Sequence, residues 1–207
     1  MWKNLIQLFK RDNLFPQALD ESHEMLSLAR TMYDASTRSL RATDSTEVAI
    51  DIPAMDKTIN AFERDVRKKI FTHLTLSGGS DLSAVLVLAT VVIDIERIGD
   101  YTKNIYQLAR NYPHRLEAGP LEAALQGIEK GTTQMFGDTI LAFRDSDEAL
   151  ARRIMESYGL DLAGACDAIT VGLVSGEVSG LSPAAAAAMP LYCRFLKRIA
   201  SPSRSIA

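Results

Sequence analysis

Residues 82–110 read LSAVLVLATVVIDIERIGDYTKNIYQLAR. Leu82 through Ile93 carry no charge, and Asp94, Glu96 and Asp100 then arrive within seven positions. At about 100° per residue, Leu82, Val85, Ala89 and Ile93 share one stripe of a helix, and Glu96, Asp100 and Asn104 extend it. A second apolar stripe, through Val87, Val91, Ile95, Ile98 and Ile105, runs along the other side. Periodicity leaves open which stripe is deeper. If the first faces the core, Glu96 and Asp100 lie one turn apart near the interior and need a cation, arginine or metal, to stay ionised. If the uncharged run is buried all round, they mark where the helix emerges into water.

Outward from this segment the chain reads as helices only, because no period-2 strand with hairpin punctuation occurs. The fold class expected is all-α. A first long helix follows Phe15-Pro16 and ends near Arg41, where ATDSTEV breaks it. A second runs from about Pro53, a residue favoured in a first turn, to about Leu74. SGGSD then offers Ser80 as N-cap for a third helix reaching Asn111. The segment NYPHRLEAGP, residues 111–120, has two prolines and a glycine and reads as the boundary between halves. Beyond it a fourth helix spans about Leu121 to Arg144, with Asp145 and Glu148 spaced as a capping box. A fifth continues to Val174, and Ser182-Pro183 opens a sixth. Ahead of all six, Trp2, Leu5, Ile6 and Phe9 against Lys3, Lys10 and Arg11 form a short amphipathic start. The domains expected are an N-terminal helix at 1–14 and three-helix bundles at 15–112 and 121–207.

An internal repeat accounts for this rhythm. IERIGDYTKNI (95–105) falls on LKRIASPSRSI (196–206) at an offset of 101, with Arg97/Arg198, Ile98/Ile199 and Ile105/Ile206 identical.

The bulk composition excludes several classes of function. A net charge of -3 provides no global basic field for nucleic acid. Cys166 and Cys193 form no CxxC pair, which fits a reduced cytosolic protein. The N-terminus lacks a secretory-signal core, and the uncharged run falls short of the roughly 20 residues needed to span a bilayer. A soluble, cytoplasmic protein is expected. His23, His73 and His114 are scattered, and Asp20-x-x-His23 is the single match to a ferritin-like carboxylate spacing. No GxxxxGK[ST], GxGxxG, GxSxG or HExxH occurs, so nothing marks an enzyme.

On the second helix, Asp56, Asn60 and Glu63 share a stripe with Arg67 a turn further on, away from Ile59, Phe62, Val66 and Ile70. By itself that is an ordinary solvated face. Set against the third helix, Asp56, Asn60, Glu63, Glu96 and Asp100 make an oxygen-rich cluster. Oxygen donors suit magnesium, manganese or iron, whereas zinc more often recruits nitrogen or sulfur.

At DIERIGDYTKNI the chain resembles the E(D)xxxD signature of the PhoU family of phosphate-uptake regulators, here Glu96-Arg-Ile-Gly-Asp100 followed by Asn104. MDKTINAFERDV (55–66) looks like that family's preceding helix, with Asp56 and Asn60 at the acidic or amide positions. The resemblance implies two tandem three-helix bundles related by pseudo-two-fold symmetry, often dimeric, with metal bound by Asp56, Asn60, Glu63, Glu96 and Asp100. It also implies a regulatory, non-enzymatic role at a phosphate ABC transporter and a sensor histidine kinase, or at a sodium–phosphate cotransporter. Its place would be the cytoplasm or the inner face of the membrane. The second half departs from the pattern. Lys197 stands at the position of Glu96 and Ser201 at that of Asp100, while Ser157 and Asp161 correspond to Asp56 and Asn60. One metal site should therefore be absent, with Lys197 expected to pair with Asp161 or Glu156. Pro202 follows at once and the chain stops at Ala207, so the sixth helix is expected to end earlier than the third. Arg194, Lys197, Arg198 and Arg204 leave that end basic, either as a solvated terminus or as a contact for an acidic partner or membrane surface.

Overall fold

The structure, a computed structural model, describes residues 14–44, 48, 50–79, 81–157 and 161–207, without the side chains of Ser157 and Asp161. The amphipathic start expected over 1–14, apart from Leu14, and the expected cap Ser80 lie outside the described residues. The periodic segments become helices where caps and first-turn prolines let them begin. The Asp51 carboxylate accepts the Ala54 N–H with Pro53 in the first turn, and Ser182 accepts the Ala185 N–H ahead of Pro183. The first three helices are α1 (Leu14–Ala42), α2 (Ile52–Leu76) and α3 (Leu82–Asn111). A 3₁₀ turn at Gly119–Leu121 leads into α4 (Glu122–Asp145), α5 (Glu148–Ser157), α6 (Asp161–Val174) and α7 (Pro183–Ile206). No strand occurs among the described residues. The helices α3 and α7 begin at Leu82 and Pro183, 101 positions apart, which is the spacing of the repeat.

The span expected for the fifth helix holds α5 and α6, and residues 158–160 between them lie outside the described residues. One local expectation, the capping box, is corrected. Ser146 adopts the left-handed conformation (φ 51°) and closes α4, which moves the next cap to Asp147, whose carboxylate accepts the Leu150 N–H at 2.9 Å. Asp145 instead pairs with Arg144. The helix α7 is shorter than α3, 24 residues against 30, and runs to Ile206 with Pro190 and Pro202 inside it. A proline removes one N–H from the helical ladder, here the one that would reach the Arg198 carbonyl four residues earlier. The turn beyond it is packed: Pro202, Ser203 and Ile206 are buried, and the Ser203 Oγ donates to the Ile199 carbonyl.

The helices α1, α2 and α3 pack on one another, α4 and α6 pack on α7, and α3 lies along α7. Their buried side chains merge into a single cluster in which Ile59, Ile95 and Ile98 join Phe136, Leu196 and Ile199. Ring contacts cross between halves, Tyr33 with Phe136 at 5.8 Å and Tyr101 with Phe195 at 6.4 Å. The proline-rich connection is also packed. Leu116 and Ala118 are buried, and the Leu116 N–H donates to the Leu40 carbonyl at 2.7 Å. Among the described residues no helix is long and apolar enough to cross a membrane.

Arg41, at the end of α1, reaches across this connection. Its guanidinium donates to Glu129 Oε1 at 2.8 Å and also bonds Glu122 and the Leu116 carbonyl. Tyr192 of α7 donates its hydroxyl to the same Glu129 oxygen at 2.9 Å. Only 12% of the Arg41 side chain is exposed, so removing it leaves Glu129 desolvated without its cation. Arg41→Met is expected to cost about 3 kcal/mol in urea unfolding, toward the lower end for a broken buried pair because Tyr192 still serves Glu129. A loss below about 1 kcal/mol would mean the pair does not tie the halves together.

Candidate functional site

The burial of α3 decides between the two stripes. Val85, Leu88, Val91, Val92, Ile95, Ile98, Thr102, Ile105 and Ala109 are buried, whereas Leu82, Leu86 and Val87 are exposed. The uncharged run is therefore not buried all round, and from Val91 onward the second stripe is the deep one. Glu96, Asp100 and Asn104 are half-buried along its edge, toward α2. The acids that are buried are Asp94, held by Arg97 at 2.9 Å, and Asp56 of α2, which the helix pattern placed on a solvated face. Gly99 explains how α2 comes so close. A Cβ at that position would meet Ile59 Cδ1 at 3.2 Å, tighter than an ordinary contact. The repeat-related position in α7 is Ala200.

Lys103, absent from the expected set, organises this face. Its ammonium donates to Asp56 Oδ2 and to Asp100 Oδ1, both at 2.9 Å, and so bridges α2 and α3. Asn60 Nδ2 lies 3.4 Å from Asp56 Oδ2, and Glu63 accepts from Arg67 at 2.8 Å. Glu96 has no ion pair among the described residues. Burial, and then the nearby charges of Asp100 and Glu63, hold its carboxyl above the usual carboxylate range, with a hydrogen bond to Asp100 and the charge of Asp56 adding to the effect. The five residues thus share one face, and their oxygen donors suit a hard cation. Among the described residues, however, no three His, Cys, Asp or Glu side chains come together closely enough to hold an ion. The cation between Asp56 and Asp100 is an ammonium. Lys103 stands three positions after Asp100, a spacing that could have revealed it.

The corresponding place in the second half is built differently. Lys197 donates to both oxygens of Asp167, at 2.7 and 2.8 Å. Of its expected partners, Glu156 is exposed and the Asp161 side chain lies outside the described residues. The partner is Asp167 because α6 packs against α7 and brings that residue beside Lys197. Arg194 and Arg198 are exposed on the same side of α7.

Comparison with known proteins agrees with this architecture. Residues 23–109 match the family model described as the PhoU domain. The chain is 22% identical over 147 residues to a phosphate-specific transport system accessory protein PhoU homolog of Aquifex aeolicus, covering 69% of this chain and 66% of that protein. It is 29% identical over 106 residues to the protein of the same name from Xylella fastidiosa, covering 49% of this chain and 43% of that one. The matches thus span less than two-thirds of each relative's length. The crystal structure of PhoU from Pseudomonas aeruginosa superposes with a TM-score of 0.81 over 94% of both chains at 20% identity, and shows that the fold is shared.

Glu96 makes stability depend on pH in a direction opposite to that of most carboxylates. A carboxyl whose pKa rises on folding holds its proton more tightly when folded, so its contribution is retained below the ordinary value of 4.5 and lost as pH rises through the raised one. Glu96→Gln is expected to melt higher than wild type near neutral pH, with the gap closing as pH falls to about 4. A gap independent of pH would remove the electrostatic explanation. Lys103→Met should lower stability in chelator by about 1–2 kcal/mol by leaving Asp56 without its cation. Urea unfolding of both proteins reads the loss, and a loss below about 0.5 kcal/mol would mean that Lys103 does not tie α2 to α3.

Proposed function

We infer from the PhoU domain carried over residues 23–109 that this chain is a non-enzymatic accessory protein that regulates phosphate transport. The observation that supports this reading best is one of position. The face formed by Asp56, Asn60, Glu63, Glu96 and Asp100 lies wholly within the residues that match the domain. Relatives with that similarity are named as accessory proteins of the phosphate-specific transport system. The partner proposed is phosphate transport machinery in the membrane: a phosphate ABC transporter with its sensor histidine kinase, or a sodium–phosphate cotransporter. The chain would meet it from the cytoplasmic side as a homodimer.

The acid face is proposed to take a hard metal ion. Asp56, Glu96 and Asp100 would be the carboxylate ligands, with Asn60 and Glu63 as flanking oxygen donors. Such an ion would neutralise the crowded carboxylates and fix α2 against α3. Glu96, raised by burial and by its acidic neighbours, supports a need for positive charge here. One observation favours a second reading, a metal-free helical adapter. Lys103 already meets Asp56 and Asp100, so the face can hold together without an ion.

Metal content and phosphate uptake together separate these readings. Deleting the gene should derepress uptake, and wild-type protein should restore restraint. If metal is required, a Glu96→Gln/Asp100→Asn protein purified without chelator carries less metal than wild type and fails to restrain uptake. If the chain is an adapter, the double variant restrains uptake normally. Equal metal in both proteins would remove the proposed ligands, and unchanged uptake on deletion would remove the transport role.

A further inference from the structure

A cavity of about 390 Å³ lies between α6 and α7, lined by Arg194, Lys197, Arg198, Ser201, Thr170 and Asp167 among others. Arg194, Lys197, Arg198 and Ser201 follow i, i+3, i+4, i+7 spacing and so share one face of α7. Three cations here meet one acid. Asp167 is engaged by Lys197 through both carboxylate oxygens, while Arg194 and Arg198 have no hydrogen bond or ion pair among the described residues. A smaller adjoining cavity of about 120 Å³ shares Lys197 and Ser201 and adds Arg204.

Basic residues near a helix C-terminus often only complement its dipole, an effect confined to the last turn. That accounts for Arg204, the basic residue in the last turn of α7, but not for Arg194, Lys197 and Arg198 further back. Their donors border a concavity, and planar guanidinium groups match the paired oxygens of a tetrahedral oxyanion. The site lies where the repeat replaces Glu96 with Lys197 and Asp100 with Ser201, so the side of the molecule that lost its carboxylates has reversed its charge.

We propose that the α6–α7 cavity binds a phosphate-type oxyanion, with Arg194 and Arg198 as the principal donors, Lys197 and Ser201 beside them, and Asp167 as a competing internal anion. The oxyanion is either inorganic phosphate or the phosphate of a lipid headgroup, and both present the same oxygens. The proposal stands apart from the role assigned to the acid face and is read out without uptake.

The test uses the full chain titrated with inorganic phosphate at constant ionic strength, because salt screens such contacts. Wild type should show saturable binding by calorimetry and a matching rise in melting temperature. Arg194→Ala/Arg198→Ala should melt like wild type without phosphate and bind at least about tenfold more weakly, as expected for lost charge-assisted hydrogen bonds. Asp167→Asn should bind several-fold more tightly by releasing Lys197. Co-sedimentation with phosphatidylglycerol–phosphatidylcholine vesicles, against phosphatidylcholine alone, separates the sources. Vesicle binding that needs phosphatidylglycerol and both arginines, without a phosphate titration, assigns the headgroup. The proposal is overturned if wild type and Asp167→Asn bind neither probe, or if removing both arginines leaves binding unchanged.

Discussion

A guanidinium withdrawn from water has to be met on several sides, and Arg41 is met by residues far apart in the chain. Glu122 and Glu129 come from α4, the Leu116 carbonyl from the connection between halves, and Tyr192 of α7 closes on Glu129. This arrangement positions the end of α1 against the start of the second half, and it draws a proline-bearing connection into the core instead of leaving it as a loose linker. The seam between α3 and α7 extends the same constraint with apolar contacts, so both charged faces are carried on one continuous core.

On that core the two repeat-related faces follow opposite electrostatic logic. The first sets Lys103 between Asp56 and Asp100, with Glu63 held by Arg67, and leaves Glu96 beside them short of positive charge. The second pairs Lys197 with Asp167 and leaves Arg194 and Arg198 beside them short of negative charge. Each face uses a lysine–carboxylate bridge between neighbouring helices, which keeps the helices apposed without satisfying the surplus. The chain thus carries an acidic face and a basic face on one core, and the apolar residues of that core are buried without any contribution from either face.

Much of this was legible along the chain. Helical periodicity, the Ser182-Pro183 start and the offset of 101 come from local rules that need no neighbour to operate. The spacing in RDSDE points to Asp145, two residues before the cap at Asp147, because nothing in it announces the left-handed turn at Ser146. Pro202 sits inside α7, because one missing N–H does not outweigh the burial of Pro202, Ser203 and Ile206 against the core. The stripe that carries Asp56 looks polar in isolation, which predicts solvation, yet packing of α2 against α3 covers it.

By itself, the sequence determined that the chain is all-α, where most helices begin, and that Glu96 and Asp100 are lost from the second copy while the isoleucines remain. Those properties follow from residue spacing, capping chemistry and self-comparison, all of which are local or linear. Only the tertiary structure decided which stripe of α3 is deep, that Lys103 stands between Asp56 and Asp100, that Lys197 turns to Asp167, and that Arg41 joins the halves. Each of these depends on how closely two helices cross, and a helix pattern records the period of its own residues without the distance to its neighbour.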